Sequence, residues 1–305
     1  MNAPNAPRPF SSARSPIIPW LFCLCIQLIG IGPLFALDQA PRDVRFVEKK
    51  LEELSNTTTT DSQVALAIKP EKWRHAETEN FIYHYRRVTE AQKVVHEIEY
   101  HLWFVAKTLG ASKERYLRKS HVFIFEDEAE WKTFLAQTDM PDWCTSFARG
   151  DELFLNVRNT VGGFDSRTLA HETTHAVVAR LYPQTRWPLW LSEGFAEYMG
   201  GASVGARKGI TAKFYQQALR NGDLSVADLT AMTAYPSKRE DVRALYQSAE
   251  RLVRFLMNEL PKERFPIFID KILEGKPFEP AFMEVYGDKI KTFDSFSRRY
   301  ALFVK

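Results

Sequence analysis

The chain has 305 residues, with 41 Lys and Arg against 38 Asp and Glu and 45% hydrophobic residues. That near balance of charge gives no reason to expect nucleic acid or an anionic surface as a partner, and the apolar fraction is that of a soluble globule. Of three cysteines only Cys144 lies outside the first 36 residues, so the remainder has no internal disulfide and its core must stabilise itself.

Residues 1 to 16 are rich in Pro, Ala, Asn and Ser, with Arg8 and Arg14 their only charged side chains, and residues 17 to 36 form an uncharged apolar run. Basic then apolar is the order of a secretory signal, with cleavage expected after Ala36 or, failing cleavage, an N-terminal membrane anchor. Either outcome places the remainder outside the cytoplasm, periplasmic or secreted, with membrane contact only through this segment. Cys23 and Cys25 lack the small residues of a lipoprotein cleavage site, so no lipid anchor is expected.

Residues 37 to 77 read as a charged, helix-compatible segment, DVRFVEKKLEEL, followed by the polar tract SNTTTTDSQ, a mobile linker or pro-region. The acceptor pattern at Asn56 is taken as incidental. From Thr78 the periodicity changes. NFIYHYR reads as a strand, TEAQKVVHEIEYHLWFVAKTLG as an amphipathic helix ended by Gly110, HVFIFED as a strand, EAEWKTFLAQ as a helix and ELFLNVR, residues 152 to 158, as a third strand. These elements make an α+β lobe. His96 and His101 are five apart, about 140° round a helix, and are ordinary helix residues; His75, His84 and His121 have no motif partner and are read as structural.

Next comes TLAHETTHAVVARLYP. Asp165 or Ser166 can cap a helix that Pro183 stops, which sets HETTH in mid-helix. His171 and His175, four apart, share a helix face and can aim both imidazoles at one zinc ion, while Glu172, one position round, can act as general base towards a water activated by the metal. WLSEGFAEY follows. Glu193 can be the third ligand of a catalytic zinc, and Glu197, one turn on, can accept a hydrogen bond from a ligand histidine and fix its tautomer. The chain then turns helical: ITAKFYQQALR, LSVADLTAM, DVRALYQSAERLVRFLMNEL, KERFPIFIDKILEG and KTFDSFSRRYALFVK. A fourth zinc ligand at Cys144 is not expected; it reads as a plain buried thiol.

HETTH followed by WLSEGFAEY resembles the gluzincin branch of the zinc metallopeptidases, in particular the peptidase MA-like domains of bacterial envelope proteins. The resemblance is strong over residues 165 to 200 and looser from about 75 to 303. It implies a zincin-like α+β fold over residues 78 to 305, with a small N-terminal lobe built on a mixed sheet, an active-site helix and a mostly helical C-terminal half. It also implies one Zn2+ per chain on His171, His175 and Glu193, with Glu172 as base. Val178 and Leu181 stand where a metzincin carries Gly and a third His, and no GxMEN-type segment precedes the motif, so neither a metzincin nor an exopeptidase is expected. By position Tyr246 resembles the tyrosine that gluzincin aminopeptidases aim at the oxyanion. The strand at Leu153, Phe154 and Leu155 stands where that fold offers a free edge to an extended substrate. The expected activity is hydrolysis of peptide bonds in an extracytoplasmic protein or peptide; the alternative is a catalytically silent zinc-binding scaffold of the envelope.

Overall fold

The computed structural model describes residues 40–55, 58–111, 118–157, 166–209 and 224–304. The signal or anchor segment, the Asn56 acceptor, the Asp165 cap and the helix expected at ITAKFYQQALR lie outside the described residues. In chain order the described elements are β1 (Val47–Lys49), α1 (Thr60–Ala67), β2 (Arg74–Glu77), β3 (Phe81–Tyr85), α2 (Val88–Thr108), β4 (Ser120–Phe125), α3 (Glu128–Leu135), β5 (Ser146–Arg149) and β6 (Glu152–Asn156). Helices then follow without strands: α4 (Ser166–Leu181), α5 (Leu189–Arg207), α6 (Val226–Ala231), α7 (Arg239–Asn258), α8 (Phe265–Leu273), α9 (Phe278–Tyr286) and α10 (Phe293–Phe303).

Six strands form one mixed sheet in the order β1-β2-β3-β4-β6-β5. β4 pairs in parallel with β3 and β6, and the other pairs are antiparallel. This is an α+β architecture. The sheet is covered on both faces, which is why β3, β4 and β6 are buried along their whole length. Side chains alternate between two cores: Tyr83, Val122, Ile124, Leu153 and Leu155 join the large core with α2, α4 and the C-terminal helices, whereas Phe123, Phe125, Phe147 and Phe154 pack with Ala65, Trp73, Trp131 and Phe134.

Two expectations are corrected. The Thr-rich tract is no linker: Thr59 caps α1 through the Ser62 N–H, its side chain also donates to Glu152, and Ser62 and Ala65 are fully buried. With β1 and β2 in the same sheet as β3, the folded unit begins before Thr78, and DVRFVEKKLEEL forms a strand and one 3-10 turn instead of a helix. The second correction concerns the substrate edge. β6 pairs with β4 on one side and β5 on the other, and Leu153, Phe154 and Leu155 are at most 1% exposed, so this strand has no free edge. The edge is β5. A two-residue turn with Gly150 at φ 59° folds it back on β6, a conformation that glycine adopts without strain.

The helices that carry the motif are placed by small residues. A Cβ on Gly194 of α5 would lie 2.7 Å from the Ala249 carbonyl carbon of α7, and one on Gly200 would lie 3.1 Å from the Arg167 carbonyl oxygen of α4. Side chains at these positions would hold the helices apart. Without them, α5 lies directly against both partners, and the charged residues of three helices converge. Among the described residues no helix is long and apolar enough to cross a membrane.

Candidate metal centre

His171 and His175 lie on one face of α4, and their Nε2 atoms are 3.1 Å apart. Glu193, from α5, faces both: Oε2 is 3.4 Å from His171 Nε2 and Oε1 is 3.6 Å from His175 Nε2. Zinc bonds of roughly 2.0–2.1 Å in a tetrahedral arrangement put ligand atoms about 3.3–3.4 Å apart, and the three separations bracket that edge. Glu193 Oε2 is also buried with no hydrogen-bond partner among the described residues, which is costly for a carboxylate that has nothing else to bind. The donor set therefore fits a small tetrahedral cation. Glu172 adds a carboxylate oxygen within 4.8 Å of both imidazoles.

The surroundings orient these groups. Glu197 Oε1 lies 3.3 Å from His171 Nδ1, and Arg167, one turn before His171 on α4, donates to Glu197 Oε2 at 2.8 Å. Ser192 Oγ lies 3.3 Å from His175 Nδ1. Each histidine thus has a polar neighbour at Nδ1 while its Nε2 faces the shared centre. Tyr246 of α7 stacks on the His171 ring at 5.9 Å, and Tyr235, in the loop before α7, donates to Glu193 Oε1 at 2.5 Å.

The electrostatics are those of opposed charges in a confined space. Burial raises the Glu172 carboxyl above its ordinary range against the pull of His171 and His175, as a group that both takes and returns a proton requires. Burial would also raise Glu193, but His175 and His171 outweigh it and hold that carboxyl well down. For His171 burial pulls down, and the adjacent carboxylates of Glu193 and Glu197 reverse the sign. Burial, then Glu193, raises both phenols, so Tyr235 and Tyr246 remain hydroxyl donors. Cys144 is pushed up to about 11, by burial first and by Glu172 second, and stays a thiol.

The structure brings together His171, Glu172, His175, Glu193, Glu197 and Tyr246, all expected from the sequence, and leaves Leu153, Phe154 and Leu155 inside the sheet. Sequence reasoning missed Arg167, although its spacing of four from His171 puts it on the same helix face, and Ser192, which adjoins Glu193. Tyr235 had no readable signal, since it sits in a loop with no period. Ala148 of β5 was missed as well: its backbone hydrogen bond acts on Glu172. No family model and no curated protein matches the chain.

Proposed function

We propose that the chain is a zinc-dependent peptidase of the gluzincin type with a zincin-like fold, acting outside the cytoplasm on a protein or peptide substrate. The observation that carries this reading is the convergence of His171 and His175 from α4 with Glu193 from α5, with Glu172 beside them. These three residues would hold one Zn2+, which when bound supplies Lewis-acid activation of water and of the scissile carbonyl. The extracytoplasmic setting is supported by the basic-then-apolar order of residues 1 to 36.

The remaining chemistry belongs to the chain's own groups. Glu172 takes the proton of the attacking water on its carboxylate and returns it to the leaving nitrogen; its raised proton affinity favours the return. Tyr246 supplies a phenol hydrogen on the Glu193 side of the centre, where a hydrogen bond to the developing oxyanion strengthens as charge accumulates, while Tyr235 donates to Glu193 itself. Glu197 and Arg167 keep the His171 ring oriented, and Ser192 borders His175. An extended substrate has β5 to pair with: Thr145 O accepts from Asn156 N at 3.0 Å, so Thr145, Phe147 and Arg149 direct their backbone at β6 while Ser146 and Ala148 direct theirs outward.

The test is Glu172→Gln measured against wild type with a peptide-library cleavage screen and a chelator control. Zinc content is expected to stay at one per chain while turnover falls by about 10²-fold or more, the contribution of a general base. Unchanged turnover overturns the mechanism; bound zinc without cleavage by wild type marks a silent scaffold instead.

A further inference from the structure

A single exposed apolar side chain is ordinary on a protein surface, so its place must give it meaning. Among the described residues Leu51, Trp143, Tyr235, Ile267 and Leu302 are the large apolar side chains left exposed, and both aromatic members of that set belong to segments that reach the candidate metal centre. Tyr235 stands exposed while its hydroxyl donates to Glu193. Trp143 is 73% exposed, whereas Trp73, Trp131, Trp187 and Trp190 are at most 8% exposed. Its neighbour Cys144 feels the charge of Glu172, and the Ala148 backbone, further along the same segment, hydrogen-bonds that carboxylate.

The backbone that carries Trp143 is fixed. Cys144 N donates to Pro141 O at 3.0 Å, closing a turn across Asp142 and Trp143, and the buried Trp131 indole donates to Cys144 O at 2.7 Å. This turn leads into β5, whose outer side pairs with no described segment. Along that side the Ser146 N–H and the carbonyls of Ser146 and Ala148 face outward, and Ser146 O accepts the weak Sγ–H donor of Cys144 at 3.2 Å. A row of strand donors and acceptors selects an extended main chain as its occupant, because another strand answers them in register. Beside such an edge a tryptophan on a fixed backbone offers a large apolar face with little side-chain entropy to lose. The stretch from Trp143 to Ala148 spans at most about 17 Å when extended and less through the turn, so the indole meets a side chain roughly three to five residues from the bond beside Glu172.

We propose that Trp143 is an apolar subsite of the β5 edge, so that the favoured substrate is an extended peptide carrying a large apolar side chain roughly three to five residues from the scissile bond. The existence of that bond rests on the peptidase reading; the pairing of an apolar peptide with β5 and Trp143 does not. The substrate class is then an internal stretch of extended chain instead of a short oligopeptide.

The probes are fluorescent peptides of one neutral, polar sequence in which the Ser at each position in turn is replaced by Leu. Binding is read by fluorescence anisotropy on Glu172→Gln protein supplied with zinc, and cleavage is read by mass spectrometry on wild type. At one or two positions Leu is expected to tighten binding about tenfold, the return from burying roughly 60 Å² of apolar surface. Trp143→Ala is expected to abolish that gain and Trp143→Phe to keep most of it. The exposure of Trp143 allows both changes without loss of fold. Leu302→Ala, which removes a comparably exposed apolar side chain on α10, controls for non-specific adhesion and should leave the gain intact. On wild type the favoured Leu should lie roughly three to five residues from the cut, on its carboxyl side for a peptide antiparallel to β5 and on its amino side for a parallel one. Less than about twofold discrimination at every position, a gain that survives Trp143→Ala, an equal loss in Leu302→Ala, or a favoured Leu adjoining the cut overturns the subsite. Selective binding that Trp143→Ala abolishes, with no cleavage of any peptide, supports the subsite and removes the peptidase reading; cleavage without apolar preference does the reverse.

Discussion

At the scale of single residues, what distinguishes this centre from two histidines on a helix is the pair of groups behind them. Glu197 touches His171 only at Nδ1, and Arg167 holds Glu197 in turn. Removing such an outer partner costs about 10–100-fold in metal affinity in known sites, so Glu197→Ala should weaken zinc retention by that factor in a chelator competition while the circular dichroism spectrum stays unchanged. The two tyrosines separate differently. If Tyr246 meets the oxyanion, Tyr246→Phe lowers kcat by roughly 10²-fold or more at nearly constant KM, and Tyr235→Phe, whose hydroxyl is already engaged with Glu193, lowers zinc retention instead; steady-state kinetics beside metal analysis read both. Most of this was legible because a helix converts spacing into direction: positions 171, 175, 193 and 197 each recur at four. Tyr235 was illegible for the converse reason, since the path of a loop is set by the surfaces it crosses.

At the scale of elements, the contact between α5 and α7 carries the Tyr246 side of the centre. Because Gly194 leaves no room for a Cβ against the Ala249 carbonyl, Gly194→Ala must push α7 outward or bend α5. Overpacking of this kind costs about 1–3 kcal/mol, so the melting temperature should fall. Activity should fall further than stability does, since Tyr246 and Glu193 move apart; assay well below the melting temperature separates the two effects. The same contrast between long and short elements governs how much of the fold the sequence discloses. β3, β4 and β6 are runs of aromatic and branched residues that only a buried strand explains, and α2, α4 and α5 are long enough for their period to be read. β1, β2 and β5 have three or four residues with mixed polarity, and α1 hides behind a run of threonines in which Thr59 is the cap. α9 was missed as well, although Pro277 and the apolar FEPAFMEVY segment announce it. The misplaced substrate edge follows from the missed β5: without the hairpin at Gly150, β6 looks terminal.

At the scale of the whole molecule, the half of the sheet remote from the candidate metal centre makes folding sensitive to acid through two devices. His84 of β3 joins His75 of β2 and His121 of β4 through nitrogen pairs of 2.8 and 2.9 Å. Burial, with His121 and His75 adding to it, pulls the His84 pKa well below the usual range; burial also lowers His75, with Glu52 opposing and Arg86 assisting. An unfolded His84 takes a proton near its ordinary value of about 6.5 and the folded one does not, so stability contributed by the neutral ring is intact above that pH and declines as pH falls below it. Glu77 has the same sign for another reason. Burial raises it, but Lys119, Ser55 and Lys49 outweigh burial and hold its carboxyl at about 2. Its contribution is present above the unfolded value of about 4.3 and is lost as pH falls from there to about 2. Urea unfolding midpoints of metal-free protein should therefore drop in two stages on acidification. His84→Gln, which can still donate and accept but does not titrate, should start less stable at neutral pH and flatten the upper stage alone. Glu77→Gln should flatten the lower stage alone. Identical slopes in wild type and both variants would mean that acid acts elsewhere, through the carboxylates around His171 and His175, and not through the sheet.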